Sequence, residues 1–149
     1  MSSTETLGLI GEMRAIELFL SHGWEVTVPV SRSSEYDIAI HRGKKNFFIQ
    51  CKYRRATRGY VDIRNRRIIG RRQGIVERPY KRVDYMTVYI PDIDEVLVIP
   101  LKKMKASMVI RTERPGNFQE KNVWMAKNFI NPKWILDDKK GERGLDDPG

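Results

Sequence analysis

The chain has 149 residues, a net charge of +9 and a pI of about 9.8, which is one domain with room for a core. A single cysteine, Cys51, excludes an internal disulfide and a cysteine-rich zinc site. No apolar run approaches transmembrane length, and the start lacks the basic region and apolar core of a signal peptide. The expectation is a cytoplasmic protein without membrane contact, whose basic charge favours polyanions as partners.

In chain order, Thr4 or Thr6 can cap a helix running to about Ser21, because Leu7, Ile10, Gly11, Ala15, Leu18 and Phe19 recur at helical spacing. Gly23 supplies its left-handed stop, and Glu5 and Glu12 project from its polar flank. Trp24–Val28 reads as a strand closed by Pro29, and Ser31–Glu35 as a polar loop carrying Arg32. Tyr36–His41 and Asn46–Tyr53 are two further strands around a turn at Arg42–Lys45, so a meander follows the helix. Tyr60–Arg64 and Arg67–Arg71 flank Asn65-Arg66 and predict a two-stranded ribbon with too little apolar surface to be core. A short helix is expected around Pro79–Asp84. Tyr85–Ile90 and Glu95–Pro100 are strands about a turn at Pro91–Asp94. Beyond Leu101 the pattern weakens to a short helix over Lys102–Met108, a strand at Val109-Ile110, partial helix over Asn117–Phe129, and a frayed tail from Asp137 to Gly149.

Charge is not spread evenly. From Arg54 to Arg78 there are nine arginines, no lysine and two acids, which accounts for seven of the nine net positive charges. A solvated face has no reason to prefer arginine so strongly, whereas its planar fork of donors matches phosphate and the guanine edge. A ribbon of this kind fits the major groove. Arg64, Arg66, Arg67, Arg71 and Arg72 are the base-contact candidates, with Gln73 and Asn65 as adenine readers. Arg54, Arg55 and Arg58 are placed on phosphates near the scissile bond.

The chemistry sits just before that segment. Alternation along Asn46–Tyr53 puts Phe48, Gln50 and Lys52 on one face and Cys51 on the apolar one. Asp37 lies on the preceding strand, one hairpin away. An acid, an amide and a lysine brought together suit a divalent ion beside a phosphate. Hydrolysing a phosphodiester requires an ion to neutralise the phosphate and acidify water, hard oxygen ligands to hold it, and a cation near the transition state. Asp37 is the first ligand candidate. Glu12 is the second, with Glu17 competing for that place. Gln50 and the Cys51 backbone carbonyl offer neutral oxygens, and Lys52 supplies the cation.

The residues Gly11-Glu12, Gly23-Trp24-Glu25-Val26, Pro29, Tyr36-Asp37-Ile38 and Ile49-Gln50-Cys51-Lys52 resemble the PD-(D/E)XK nuclease superfamily over about residues 7 to 100. Gln50 departs from the usual Asp or Glu, as in a subgroup resembling intron-encoded homing endonucleases. The resemblance implies an α/β, restriction-endonuclease-like mixed sheet flanked by helices, with the arginine-rich ribbon inserted. It implies a catalytic set of Glu12, Asp37, Gln50 and Lys52 with Mg2+. The expected protein is a sequence-specific endonuclease for double-stranded DNA, acting as a homo-oligomer, dimer or tetramer, because each site cuts one strand. Residues 1–136 then form one nuclease domain and 54–78 its DNA-contacting insertion. The rivals are a Holliday-junction resolvase and a non-catalytic DNA-binding protein on a nuclease scaffold.

Overall fold

A computed structural model describes residues 3–31, 34–69, 76–78, 80–113 and 123–136, with 67–69 and 76–78 described by their backbone. Helix α1 (Thr4–Ser21) is capped one residue earlier than predicted, by Ser3, whose hydroxyl accepts the Thr6 N–H at 3.2 Å. Such a cap is worth about 1 kcal/mol. Gly23, at φ +85°, ends the helix as expected and lets the Trp24 N–H turn back to the Phe19 carbonyl. Gly11, Ala15 and Phe19, four apart, form the buried stripe of α1.

After α1 come β1 (Glu25–Thr27), β2 (Ile38–Arg42), β3 (Lys45–Tyr53), β4 (Tyr60–Arg64), β5 (Arg67–Ile69), β6 (Val76–Arg78), β7 (Tyr85–Ile90), β8 (Glu95–Pro100), β9 (Ser107–Arg111), β10 (Trp124–Met125) and α2 (Lys133–Leu136). The central sheet has the order β1-β2-β3-β7-β8. The meander β1-β2-β3 and the hairpin β7-β8 are antiparallel, and β3 and β7 join them in parallel. This is the mixed sheet the sequence predicts.

One face of the sheet carries Ile38, Ile40, Ile49, Cys51 and Val98 against Ala15 and Phe19 of α1, with Trp24, Ile135 and Leu136 completing that core. The other face carries Met86, Val88, Ile90, Leu97 and Ile99 against a second sheet, β10-β9-β4. No described helix is long and apolar enough to cross a membrane.

Here the structure corrects the predicted ribbon. Among the described residues, Tyr60–Arg64 does not pair with Arg67–Ile69. It pairs antiparallel with β9, Tyr60 opposite Arg111 and Arg64 opposite Ser107, while β5 pairs with β6, Arg67 opposite Arg78. The reason is burial. Val61 and Ile63 are 2% and 0% exposed, and sealing each contributes roughly 1.5–3 kcal/mol, which a protruding hairpin cannot supply. β4 is therefore core on one face and polar on the other.

Three predicted helices also change. Residues 80–84 hold no helix. Instead Asp84 brackets Phe48, giving its N–H to the Phe48 carbonyl and accepting the Phe48 N–H, each at 2.8 Å. The Lys102–Met108 helix shrinks to one 3-10 turn, Leu101–Lys103, because Met104 and Met108 are both drawn into the core. Of Asn117–Phe129 the described part is β10 and a 3-10 turn at Ala126–Asn128. Arg32, Arg71, Arg72, Gln73 and the predicted tail from Asp137 lie outside the described residues.

Candidate active site

The site forms where two strands of unequal length part. The β2 ladder begins with Ile38 opposite Ile49, but β3 continues to Tyr53 with β7 as its partner. Beyond Ile49, the β3 edge that faced β2 is open. Asp37, one residue before β2, is anchored at the start of this open edge: its N–H donates to the Ile49 carbonyl at 2.9 Å and its carboxylate accepts the Cys51 N–H at 2.8 Å. An exposed ladder donor thereby fixes an acid at the sheet edge.

Helix α1 brings the second acid. At Gly11 the helix lies so close to β3 that an added Cβ would stand 2.9 Å from the Lys52 carbonyl oxygen. Glu12 follows directly, and its carboxyl stands beside that of Asp37 in one cavity. Glu17, its competitor from the sequence, is exposed and lies 3.7 Å from Arg14 instead. Glu5, Glu12, Asp37, Gln50 and Cys51 line a cavity of about 580 Å³.

Electrostatics follow from this crowding. Burial, the negative charge of Asp37 and the hydrogen bond between them push the Glu12 carboxyl up to about 6. Asp37 is also raised, by burial, although the Cys51 N–H, Glu12 and the Lys52 charge pull the other way. Lys52 projects from β3 with its Nζ 3.1 Å from the Tyr80 hydroxyl and 5.5 Å from the centre of that ring. Burial, then the positive charge of Arg54, lowers its affinity for a proton. Burial drives the Cys51 thiol far above its ordinary range, so the side chain is core packing and no nucleophile.

A family model described as PD-(D/E)XK endonuclease matches residues 2–131. The chain belongs to this family. No curated protein matches it in sequence. Among solved structures it is similar to a bacterial homing endonuclease, I-Ssp6803I, at 22% identity over 95% of this chain and 97% of that one, with a TM-score of 0.72. At that identity the likeness shows the fold, and the fold is the restriction-endonuclease-like one the sequence implied. The match runs well past residue 100, where the motif resemblance stopped.

Against the PD-(D/E)XK pattern, Gln50-Cys51-Lys52 fills the strand positions with an amide in place of the second acid. The donor set still fits a hard divalent ion: two carboxylates, an amide oxygen and a main-chain carbonyl are all oxygen. Burial first, and then the charge of Asp37 beside it, raise the Glu12 carboxyl, and a cation between the two acids would relieve that repulsion. No group of three or more acidic, histidine or cysteine side chains with metal-binding spacing occurs among the described residues, so the neutral oxygens of Gln50 and Cys51 are needed to complete the set.

Around this site the described arginines are exposed: Arg54, Arg55, Arg58, Arg64 and Arg66. Arg54 leaves β3 with its own guanidinium on the Tyr53 carbonyl at 2.8 Å. Arg58 and Gly59 both have positive φ, 54° and 81°, in a tight turn held by Thr57 and Tyr60, a two-residue geometry that matches strand twist. Arg67 is described by backbone only, in β5. Asn65, expected as an adenine reader, is half-buried with its side-chain oxygen shielded from solvent. Tyr80 was missed. It belongs to no periodic segment, and only its place just before a strand could have marked it.

Proposed function

We propose that this chain is a divalent-metal-dependent, sequence-specific DNA endonuclease of the homing type, cutting duplex DNA as a homo-oligomer. The observation that carries the reading is the open edge of β3. There Asp37 is fastened to Cys51 while Glu12 arrives from α1 and Gln50 and Lys52 from the strand itself.

In this reading Asp37, Glu12, Gln50 and the Cys51 carbonyl would hold Mg2+. Bound there, the ion neutralises phosphate charge and acidifies a water. The residues do the rest. Asp37 stays oriented because the Cys51 N–H occupies one of its oxygens. Glu12 would serve as a ligand in its deprotonated form. Lys52, held by Tyr80, directs an ammonium toward the phosphate, orienting the attacking water and offsetting charge in the pentavalent transition state. Arg54, Arg55 and Arg58, on the chain leaving β3, grip phosphates near the scissile bond. Arg64 and Arg66, with Arg67, Arg71, Arg72, Gln73 and Arg32, carry the remaining DNA contact, and residues 1–136 act as one nuclease domain with 54–78 as its DNA-contacting segment. Two sites related by symmetry cut both strands, in a dimer or a dimer of dimers.

The test is incubation with a random-sequence duplex library and Mg2+, followed by sequencing of the cut ends. Ends sharing one sequence support the reading. Cutting confined to four-way junctions would select a resolvase. Binding without any cutting would select the non-catalytic scaffold alternative, which the amide at Gln50 leaves open.

A further inference from the structure

The basic surface does not stop at the last described arginine of β4. Arg64 stands opposite Ser107, and the Asn65 N–H donates to the Ala106 carbonyl at 3.1 Å. The chain heading for Arg66 therefore runs alongside Lys105. Residues 96–112 hold Lys102, Lys103, Lys105 and Arg111 and not one acid. Lys103 and Lys105 are exposed. With Ser107 and Trp124 they line a cavity of about 530 Å³. The Trp124 ring is 41% exposed, held from one side by Phe129 at 5.9 Å.

We propose that this cavity is a backbone subsite for duplex DNA, with Lys103 and Lys105 on phosphates and Trp124 against the sugar between them. The proposal rests on the endonuclease reading and extends it to residues outside the arginine-rich segment. An interface between copies fits less well, since lysine is depleted from interface cores and two exposed lysines flank the ring. Phosphate and sugar contacts fix register on the duplex without reading sequence, which suits residues at the far end of β4. That strand of five residues spans roughly 14 Å, so cations at its two ends meet phosphates several base pairs apart. Arg58 precedes one end and Lys105 adjoins the other.

The experiment measures binding of the full chain to a random-sequence duplex pool without divalent metal, between about 50 and 200 mM salt. Lys103→Ala with Lys105→Ala reduces the slope of log affinity against log salt by about 1.8, the share of two phosphate contacts. Trp124→Ala weakens binding without changing the slope, and sedimentation shows the wild-type mass for every variant. If the alanine pair melts early, Lys103→Gln with Lys105→Gln carries the same expectation. A slope unchanged in a folded lysine variant overturns the proposal. So does a changed sedimentation mass with an unchanged slope, which would make the cavity a contact between copies. A wild-type chain with no salt slope would instead bring down the DNA reading itself.

Discussion

The β3 edge and the outer face of the second sheet put charge to opposite uses. At the edge, acids are crowded and partly buried, so that Glu12 and Asp37 both hold protons more tightly than free carboxyls. Along β4 and the turn before it, Arg58, Arg64 and Arg66 are exposed. Chemistry benefits from groups fixed in a low-dielectric setting, where each charge acts strongly. Grip benefits from hydrated cations that trade counterions for phosphate. Separate substitutions should therefore dissociate the two functions.

The largest effect belongs to the edge. Asp37→Asn or Lys52→Ala lowers single-turnover cleavage by about a hundred- to a thousandfold, the range for loss of one electrostatic group, while duplex affinity measured without metal changes little. Parallel loss of both in a folded variant would merge the two regions and remove the distinct catalytic site.

Next comes Gly11→Ala, which attacks the contact that aims Glu12. Its Cβ has backbone, not a flexible side chain, 2.9 Å away, so α1 must lift from β3. Overpacking of this kind costs about 1–3 kcal/mol, read as a lower urea midpoint. Cleavage should fall with it and binding should hold. A variant as stable and active as wild type would show that the approach of α1 does not position the acid.

The edge was largely legible because it is built locally. Strands 85–90 and 95–100 show as short apolar runs, buried almost throughout, and one hairpin joins Asp37 to Gln50. Helical phase separates Glu12 from Glu17 in the sequence as well. Gly11 and Ala15 mark the close-packed face, and Glu17 lies roughly 140° of helix rotation from Glu12. The second region was not legible in the same way. β4 finds its partner in β9, some 45 residues later in sequence, and nothing within Tyr60–Arg64 names that partner. Its alternation fitted a ribbon as well as a half-buried strand, and only the buried Val61 and Ile63 decide between them. Tyr80 owes its place at Lys52 to the same long-range packing.

Arg64 sharpens the comparison from the other side. It is exposed at the end of β4, and if it reads a base, Arg64→Ala relaxes preference at one position of the cut-site profile by roughly 1–3 kcal/mol. Cleavage of sites varied at that position should then become more even. A uniform fall across all sequences assigns Arg64 to phosphate, leaving β4 to hold the duplex while other residues read it.

The smallest effect tests whether the edge carries unrelieved charge. Glu12 titrates near 6 in the fold against 4.5 for a free side chain, so the native state binds the proton more tightly than the unfolded chain does. Stability is therefore lost as pH rises from about 4.5 to 6, the reverse of a salt-bridged acid. Glu12→Gln removes that penalty and should stabilise the protein at neutral pH by about 1 kcal/mol, after allowing for solvent at this half-exposed group. The gain should vanish below pH 4.5, where wild type is protonated too. Added Mg2+ should raise the wild-type melting temperature at neutral pH and do less for Glu12→Gln, because ligand binding to the native state stabilises in proportion to its affinity. Below pH 6 the bound proton competes with the ion, so both this gain and the cleavage rate should fall together. A Glu12→Gln variant less stable than wild type at neutral pH would mean that the two carboxyls are not in conflict, and that the edge is no more prepared for a cation than the basic face beside it.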